Sequence, residues 1–244
     1  MPPRLFADAA LAAGHTLALP ATAARHVQVL RLQPGDALTL FDGRGGEWDA
    51  RVAAMARSGV QAEVIAHRAV ERELTLAVTL ALAMPSGDRM DALVEKATEL
   101  GAAAIQPLLT ERSVLRLAGE RAGRRRDHWQ AIAVAACEQC GRNRVPPIAP
   151  VQTLAAWLAA LPAAPSDGGS RWLLGWRDAA PWPQAVASLG PALTLLSGPE
   201  GGFTAAEEDL ARARGFACVT LGARVLRADT APLAALAALA IARP

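Results

Sequence analysis

Ser197-Gly198-Pro199-Glu200-Gly201-Gly202-Phe203 is the stretch whose residue types and spacing could do chemistry. Three glycines and a proline lie within five residues, a composition that core packing does not require. Glycine permits positive φ and lets a ligand approach the backbone, while proline fixes one φ and removes a donor. An apolar run, 192–196, precedes the stretch, and Thr204-Ala205-Ala206-Glu207 follows it. That order reads as a buried strand, a glycine-rich turn and a helix opened by a reciprocal capping box between Thr204 and Glu207. A loop of this kind at the end of a buried strand is a binding loop; a plain tight turn is the alternative.

A second stretch has the same setting. Leu221-Gly222-Ala223-Arg224-Val225-Leu226-Arg227-Ala228-Asp229-Thr230-Ala231 follows a predicted strand, 217–222. Ligands of open α/β sheets bind beyond the carboxyl ends of the strands. Both loops are therefore expected to face one pocket. An ordinary strand-to-helix connection capped by Asp229 or Thr230 is the other reading. No G-x-G-x-x-G follows a strand, so the dinucleotide fingerprint is missing. No G-x-x-x-x-G-K-[ST] occurs either, and Lys96, the only lysine, falls inside the predicted helix 88–100. No acidic glycine-rich loop of the Rossmann-type methyltransferases follows an early strand.

Cys137-Glu138-Gln139-Cys140 is a lone C-x-x-C. Zinc needs two further ligands. Cys218 and the scattered His15, His26, His67 and His128 offer no second pair at motif spacing, so buried helical cysteines and no metal are expected. No histidine is assigned to catalysis; His26 reads as structural or RNA-facing. Arg112, Arg116, Arg121, Arg124, Arg125 and Arg126 fall within fifteen residues that contain one acid, Glu120, and Arg142 and Arg144 follow. This is either a phosphate-tracking patch or a solvated face. Of the 25 Lys+Arg residues 24 are arginine, so a single arginine carries little weight.

These loops need a scaffold. A chain of 244 residues, 52% hydrophobic and 20% charged, folds as one large or two modest domains. The net charge of +2 puts any nucleic-acid signal in clustering rather than totals. Residues 1–70 read as a small β domain. A strand is predicted over 37–41 and a hairpin turn over 42–46. Positions 48, 50 and 52, then 60, 62, 64 and 66, alternate beyond it, which suggests a small barrel. Glu71-Arg72-Glu73 is a charged joint. Beyond it, 74–83 is a strand covered on both faces. A helix runs from Asp88 to Gly101, and strands follow at 104–109, 172–175, 192–196 and 217–222. Helices are expected over 129–140 and from Asp229, with Pro232 in the first turn of the last. Alternating strands and helices give an α/β domain with a mostly parallel sheet. Residues 162–170 read as a surface loop, and no internal repeat is present. Three cysteines, no apolar signal core at the N-terminus and no membrane-length apolar run point to the cytoplasm and no membrane.

Read in order, these blocks resemble the RsmE family, bacterial SPOUT-superfamily enzymes that methylate N3 of a uridine in 16S ribosomal RNA. The similarity runs nearly end to end. It is carried by Arg4-Leu5-Phe6, His26-Val27-Gln28-Val29-Leu30-Arg31, Gly35-Asp36 and Phe41-Asp42-Gly43. Asp88-Arg89-Met90-Asp91, Glu95 to Gly101, Glu111-Arg112-Ser113, Glu138 to Pro146 and the two glycine loops continue it. The resemblance implies a PUA-like, RNA-binding β-barrel domain over 1–70 and a trefoil-knotted α/β methyltransferase domain over 74–244. It also implies a homodimer, no metal, and 16S RNA or the assembled small subunit as partner. General rules argue against knots, and no periodicity could show one. The implied cofactor is S-adenosylmethionine, held by Leu174, Gly198, Pro199, Glu200, Gly201, Gly202, Leu221, Gly222, Val225, Leu226, Arg227 and Ala231. Asp229 or Glu200 is the candidate base that takes the uridine imide proton. Arg227, or an arginine of the partner subunit, is the candidate stabiliser of the anionic ring. RNA-binding candidates are Arg4, His26, Arg31, Arg112, Arg121, Arg124, Arg125, Arg126, Arg142 and Arg144. Two positions depart from the family pattern: Ser86 stands where a lysine is usual, and Asp229 where a glutamate is usual. A SPOUT enzyme acting on transfer RNA and a non-catalytic RNA-binding or ribosome-assembly factor are the alternatives.

Overall fold

Period-two apolar patterning in the first seventy residues builds a five-stranded sheet in a computed structural model that describes residues 2–57, 59–165, 168–175 and 179–242. Its elements are β1 (Arg4–Phe6), β2 (Thr16–Ala18), α1 (Ala21–Val29), β3 (Ala37–Phe41), β4 (Glu47–Ala56) and β5 (Gly59–Arg68). The hydrogen-bonded order is β1-β3-β4-β5-β2, with β1 parallel to β3 and the other pairs antiparallel. Leu38, Leu40, Ala50, Val52, Val60, Ala62 and Val64 turn one face inward against Ala23, Ala24 and Val27 of α1. The β3–β4 turn holds Gly43, Gly45 and Gly46 at φ of 81°, 112° and 70°, a backbone region that favours glycine.

The stretch around His26, within the predicted β domain, is a helix. Residues 21–29 form α1, and the chain leaves it through Arg31 at φ 56°. Arg31 N–H donates to Gln28 O and Leu32 N–H to Val27 O, the paired bonds of a Schellman stop with arginine in the position usually given to glycine. Holding a side chain there costs about 1 kcal/mol. Arg31→Gly is therefore expected to raise stability by about 1 kcal/mol in chemical denaturation.

By contact, the chain divides into Met1–Glu73 with Val134–Val145, and Leu74–Ala133 with Pro146–Pro244. The segment 134–145, which sequence reading places in the second domain, thus clusters with the first unit. Long-range bonds explain this. Phe6 N–H donates to Glu138 Oε1 at 2.8 Å, Val145 N–H to Gly43 O at 3.1 Å, and Asn143 Nδ2 to Val70 O at 2.6 Å.

Apolar runs in the second unit form a seven-stranded, all-parallel sheet. Its elements are β6 (Ala77–Ala83), α2 (Arg89–Glu99), β7 (Ala104–Leu109), α3 (Gly119–Cys140), β8 (Gln152–Thr153), α4 (Leu154–Ala160) and β9 (Ser170–Leu174). β10 (Ala180–Pro181), α5 (Trp182–Ala187), β11 (Ala192–Ser197), α6 (Ala205–Ala213), β12 (Ala217–Thr220) and α7 (Thr230–Ala242) complete it. The order is β10-β12-β9-β11-β6-β7-β8. α4 and α6 cover strands through Trp157, Leu158, Ala211 and Phe216, while α7 packs on β11 and α2. In the sheet β12 lies between β9 and β10, both earlier in the chain. Because β12, β9 and β11 are adjacent and parallel, the loops that leave their carboxyl ends emerge at one edge of the sheet. α3 starts ten residues before the predicted helix, so Arg121, Arg124, Arg125 and Arg126 are helical. Ser166 and Asp167 of the predicted 162–170 loop lie outside the described residues. No helix among the described residues is long and apolar enough to cross a membrane.

Candidate functional site

The glycine-rich loop after β11 is pinned at both ends. Gly202, at φ 67°, donates its N–H to Pro199 O at 2.8 Å and closes the turn. A Cβ on Gly198 would meet the Phe203 ring at 3.1 Å, so a side chain there would have to push the ring aside by a few tenths of an ångström. Thr204 and Glu207 form the reciprocal capping box: Thr204 N–H donates to Glu207 Oε2 at 2.9 Å, and Glu207 N–H to Thr204 Oγ1 at 3.3 Å. Glu207 is buried, and its Oε1 accepts Glu111 N–H at 2.9 Å, which ties the loop after β7 to the start of α6. Arg112 adds a second tie, donating from Nη1 to Gly201 O at 2.8 Å and to Phe203 O at 3.3 Å.

A cavity of about 690 Å³ opens at these loops. Leu174, Gly198, Pro199, Glu200, Gly201, Gly202, Val225, Leu226, Arg227 and Ala231 all line it. An adjoining recess of about 110 Å³ adds Leu221 and shares Leu174, Val225, Leu226 and Ala231. The structure therefore brings both loops and the end of β9 to one pocket. Gly222 and Asp229 stand outside both walls. Gly175, Ser197, Phe203, Cys218 and Glu208 line the cavity without having been singled out, and Arg112, assigned to RNA, lines it too. Gly175 follows the carboxyl end of β9, so the rule that found the loops could have found it, whereas Cys218 lies inside β12. Arg112 and Glu208 carry no local signal; their place depends on contacts distant in sequence.

The charged groups are not equivalent. Glu200 Oε1 accepts Ser86 N–H at 3.0 Å, Ser86 Oγ–H at 2.9 Å and Arg89 Nη1 at 3.0 Å. Partial burial alone would raise its pKa, but these bonds and the Arg89 charge outweigh burial and hold it below the usual carboxylate range. So depressed and so engaged, Glu200 is a loop anchor and a weak base. Ser86, which replaces the family's usual lysine, supplies two of the three bonds. Ser86→Ala removes one of them and is expected to weaken nucleoside-cofactor binding about two- to tenfold by calorimetry. Asp229 precedes α7 and among the described residues meets only the Thr230 hydroxyl, at 3.4 Å. Arg227 is exposed, and its guanidinium has no partner among the described residues.

The RNA candidates divide into two groups. Arg142 is buried, the Arg4 side chain is 8% exposed, and both are paired. Arg4 binds Glu47, Asn143 Oδ1 at 2.7 Å and Arg142 O at 3.2 Å, with its guanidinium 5.0 Å from the Phe41 ring centre. Arg142 makes a salt bridge to Glu73 through Nη2 and bonds both carboxylate oxygens through Nε at 3.1 Å. Their charges are consumed inside the first unit. His26 Nδ1 lies 3.5 Å from Glu138 Oε2, and Arg144 pairs with Glu71 at 3.3 Å. Arg125 lies 3.8 Å from Asp88 and 4.0 Å from Asp91, and Arg126 pairs with Asp127. Arg124 is exposed and 3.5 Å from Glu120, while Arg31 and Arg121 are exposed with no side-chain partner among the described residues. Asp91 on α2 accepts Trp129 Nε1 at 2.9 Å and meets His128 Nε2 at 2.8 Å, which fixes α3 against α2. Burial pushes the Cys137 thiol up to about 12, leaving it protonated and inert. Among the described residues no group of three or more His, Cys, Asp or Glu is placed to hold a metal ion.

A parallel sheet with a loop-lined cavity at the strand ends defines the class, and comparison agrees. Residues 72–240 match the RNA methyltransferase domain and 19–65 the RNA methyltransferase PUA domain. The chain is 39% identical over 213 residues to ribosomal RNA small subunit methyltransferase E of Synechocystis, covering 86% of this chain and 67% of that protein. It is 33% identical to the protein of the same name from Bacillus subtilis, covering 87% and 84%. The solved structure of ribosomal RNA small subunit methyltransferase E from Neisseria gonorrhoeae, bound to S-adenosylmethionine, superposes with TM-score 0.90 at 39% identity over 98% and 97% of the chains. A methyltransferase from Legionella pneumophila in complex with the same cofactor gives TM-score 0.91 at 32% identity over 99% and 98%. The chain belongs to the ribosomal RNA small subunit methyltransferase E family. Its second unit has the α/β fold of an RNA methyltransferase domain, and its N-terminal unit is PUA-like.

Proposed function

We propose that this protein transfers the methyl group of S-adenosylmethionine to N3 of one uridine in small-subunit ribosomal RNA. The observation that carries the reading is the cavity in which both glycine loops meet beside the Arg227 guanidinium, which has no partner among the described residues. The residues present fit the cofactor. Leu174, Val219, Leu221, Leu226 and Ala231 form an apolar wall suited to an adenine ring, and the glycine loop exposes backbone groups to a polar ligand. When bound there, S-adenosylmethionine supplies an electrophilic methyl group.

The protein's own part is positioning and electrostatics. Arg112, Ser86 and Arg89 hold the loop that forms one wall. Arg227 is left to stabilise the anionic uracil ring once its imide proton has gone. Glu200 is engaged and held below the usual carboxylate range, which leaves Asp229, next to the lining Ala228, as the candidate to take that proton. The target base reaches the cavity flipped out or already unpaired. A second copy of the chain covers the outer side of α7, which is apolar all round and leaves Ile241 84% exposed. The place of action is the cytoplasm, where small subunits are made.

Free arginines hold the RNA by phosphate contact. Arg121→Ala with Arg124→Ala is expected to lower the slope of log affinity against log salt by about 1.4 for single-stranded RNA, with little change in sequence preference. Arg31→Gly is expected to weaken RNA binding even as it stabilises the fold. The function itself is tested by incubating the protein with methyl-labelled S-adenosylmethionine and, separately, small subunits, free 16S RNA and transfer RNA. Label is expected in small subunits or 16S RNA. Label confined to transfer RNA, or RNA binding with no label, rejects the reading.

A further inference from the structure

The cavity is polarised. Its wall on β9, β12 and α7 is apolar, while the wall on the loop after β7 and on α6 carries Arg112 and Glu208. Arg112 commits Nη1 to the carbonyls of Gly201 and Phe203. Its Nε and Nη2 have no partner among the described residues. Glu208 lies in the first turns of α6, where its Oε2 accepts Arg212 Nη2 at 3.0 Å and its Oε1 has no partner among the described residues. The other carboxylate of the wall, Glu200, is engaged by Ser86 and Arg89. Two opposite charges with spare hydrogen-bonding atoms therefore share the polar wall.

A zwitterion matches that pair, and the cofactor carries one: an α-carboxylate and an α-ammonium at the end of the molecule remote from adenine. We infer that Arg112 and Glu208 form the subsite for the amino-acid end of the cofactor, the guanidinium taking the carboxylate and Glu208 taking the ammonium. This rests on the cofactor reading above. It also fixes the direction in which the ligand lies, with adenine against Leu174, Leu221 and Leu226 and the amino acid toward α6. Arg112 then has two tasks, holding the glycine loop through Nη1 and binding ligand through its remaining donors. Two charge-assisted hydrogen bonds of this kind give specificity for the whole cofactor over nucleosides that lack the amino acid.

The test compares S-adenosylhomocysteine with 5′-methylthioadenosine, which keeps adenosine and the thioether but lacks the amino acid. Binding of both to the full chain is measured by calorimetry. The unaltered protein is expected to bind S-adenosylhomocysteine at least about tenfold more tightly. Glu208→Gln keeps the shape and removes the charge; it is expected to weaken S-adenosylhomocysteine about tenfold and to leave methylthioadenosine within about twofold. Arg112→Met is expected to reduce the preference for S-adenosylhomocysteine further, with some loss for methylthioadenosine because the loop tie goes too. Arg212→Ala removes the neighbouring ion pair but not the Glu208 charge, and is expected to leave the preference unchanged. Equal losses for both ligands in Glu208→Gln, or an unchanged preference in Arg112→Met, overturn the subsite. So does a Glu208→Gln variant that loses affinity for S-adenosylmethionine but not for S-adenosylhomocysteine, which assigns the carboxylate to the sulfonium. If the unaltered protein binds neither nucleoside, the cofactor reading itself fails and the subsite with it.

Discussion

Arg227→Ala is expected to lower kcat by about 10²–10³ while leaving S-adenosylhomocysteine affinity within about threefold. The side chain lines the cavity, is exposed and has no partner to leave stranded. The backbone of Arg227 is anchored separately, since its carbonyl accepts Thr230 N–H and Ala231 N–H, both at 3.0 Å. Loss of the side chain therefore leaves the start of α7 in place. What disappears is a cation beside a ring that must carry negative charge in order to react. A preorganised donor in such a place acts on the transition state more than on the ground state. Arg227→Lys keeps a positive charge without the planar fork and should restore part of the rate. Steady-state kinetics with small subunits, beside calorimetry, separates the two effects. A fall in cofactor affinity as large as the fall in kcat would instead make Arg227 a ligand-binding residue.

Glu47→Ala is expected to destabilise the protein by about 3–5 kcal/mol, the largest single effect on stability anticipated for the first unit. Glu47 is 2% exposed and lies among three arginines. Arg4 binds one carboxylate oxygen, Arg72 reaches the same oxygen at 3.1 Å, and Arg68 reaches the other at 2.8 Å. Removal of the carboxylate leaves Arg4, its side chain only 8% exposed, without its countercharge. Burial by itself would raise the Glu47 pKa; the bonds from Arg72 and Arg4 and their charges outweigh it and hold the carboxyl below its ordinary 4.5. A depressed carboxylate stabilises the native state at pH above its unfolded value and loses that contribution as pH falls through the native value. Acid is thus expected to weaken the wild type below about pH 4.5 and to affect the Glu47→Ala protein less. Urea denaturation at pH 7 and pH 3.5 measures both. Equal acid sensitivity in the two proteins would show that the carboxylate carries no such linkage.

Both effects depend on contacts that sequence patterning could not reveal. Arg4 lies 43 residues from Glu47 and Arg142 lies 69 from Glu73, so nothing local distinguishes them from the free cations Arg31 and Arg121. The candidate base Glu200 carries Ser86, 114 residues away, on its carboxylate, a contact no local pattern shows. The parallel sheet, by contrast, was legible, because β6, β11 and β12 are apolar runs that need cover on both faces. The two glycine loops were legible for the same reason: glycine and proline punctuate strand ends whatever the tertiary context. The capping box of α6 is local chemistry over four residues and formed as read. The two helices at fault, α1 and the start of α3, lack a clean period. The place of β12 between β9 and β10 belongs to chain path, which no spacing of residues encodes.

The central claim is that this cavity serves methyl transfer to N3 of a uridine. Nucleoside analysis by mass spectrometry, after the protein has acted on small subunits from cells lacking the modification, tests it most directly. The expected product is 3-methyluridine, about one per small-subunit RNA, absent with Arg227→Ala on the same timescale. A methyl group on the ribose, on another ring position or on a base other than uracil would contradict the account.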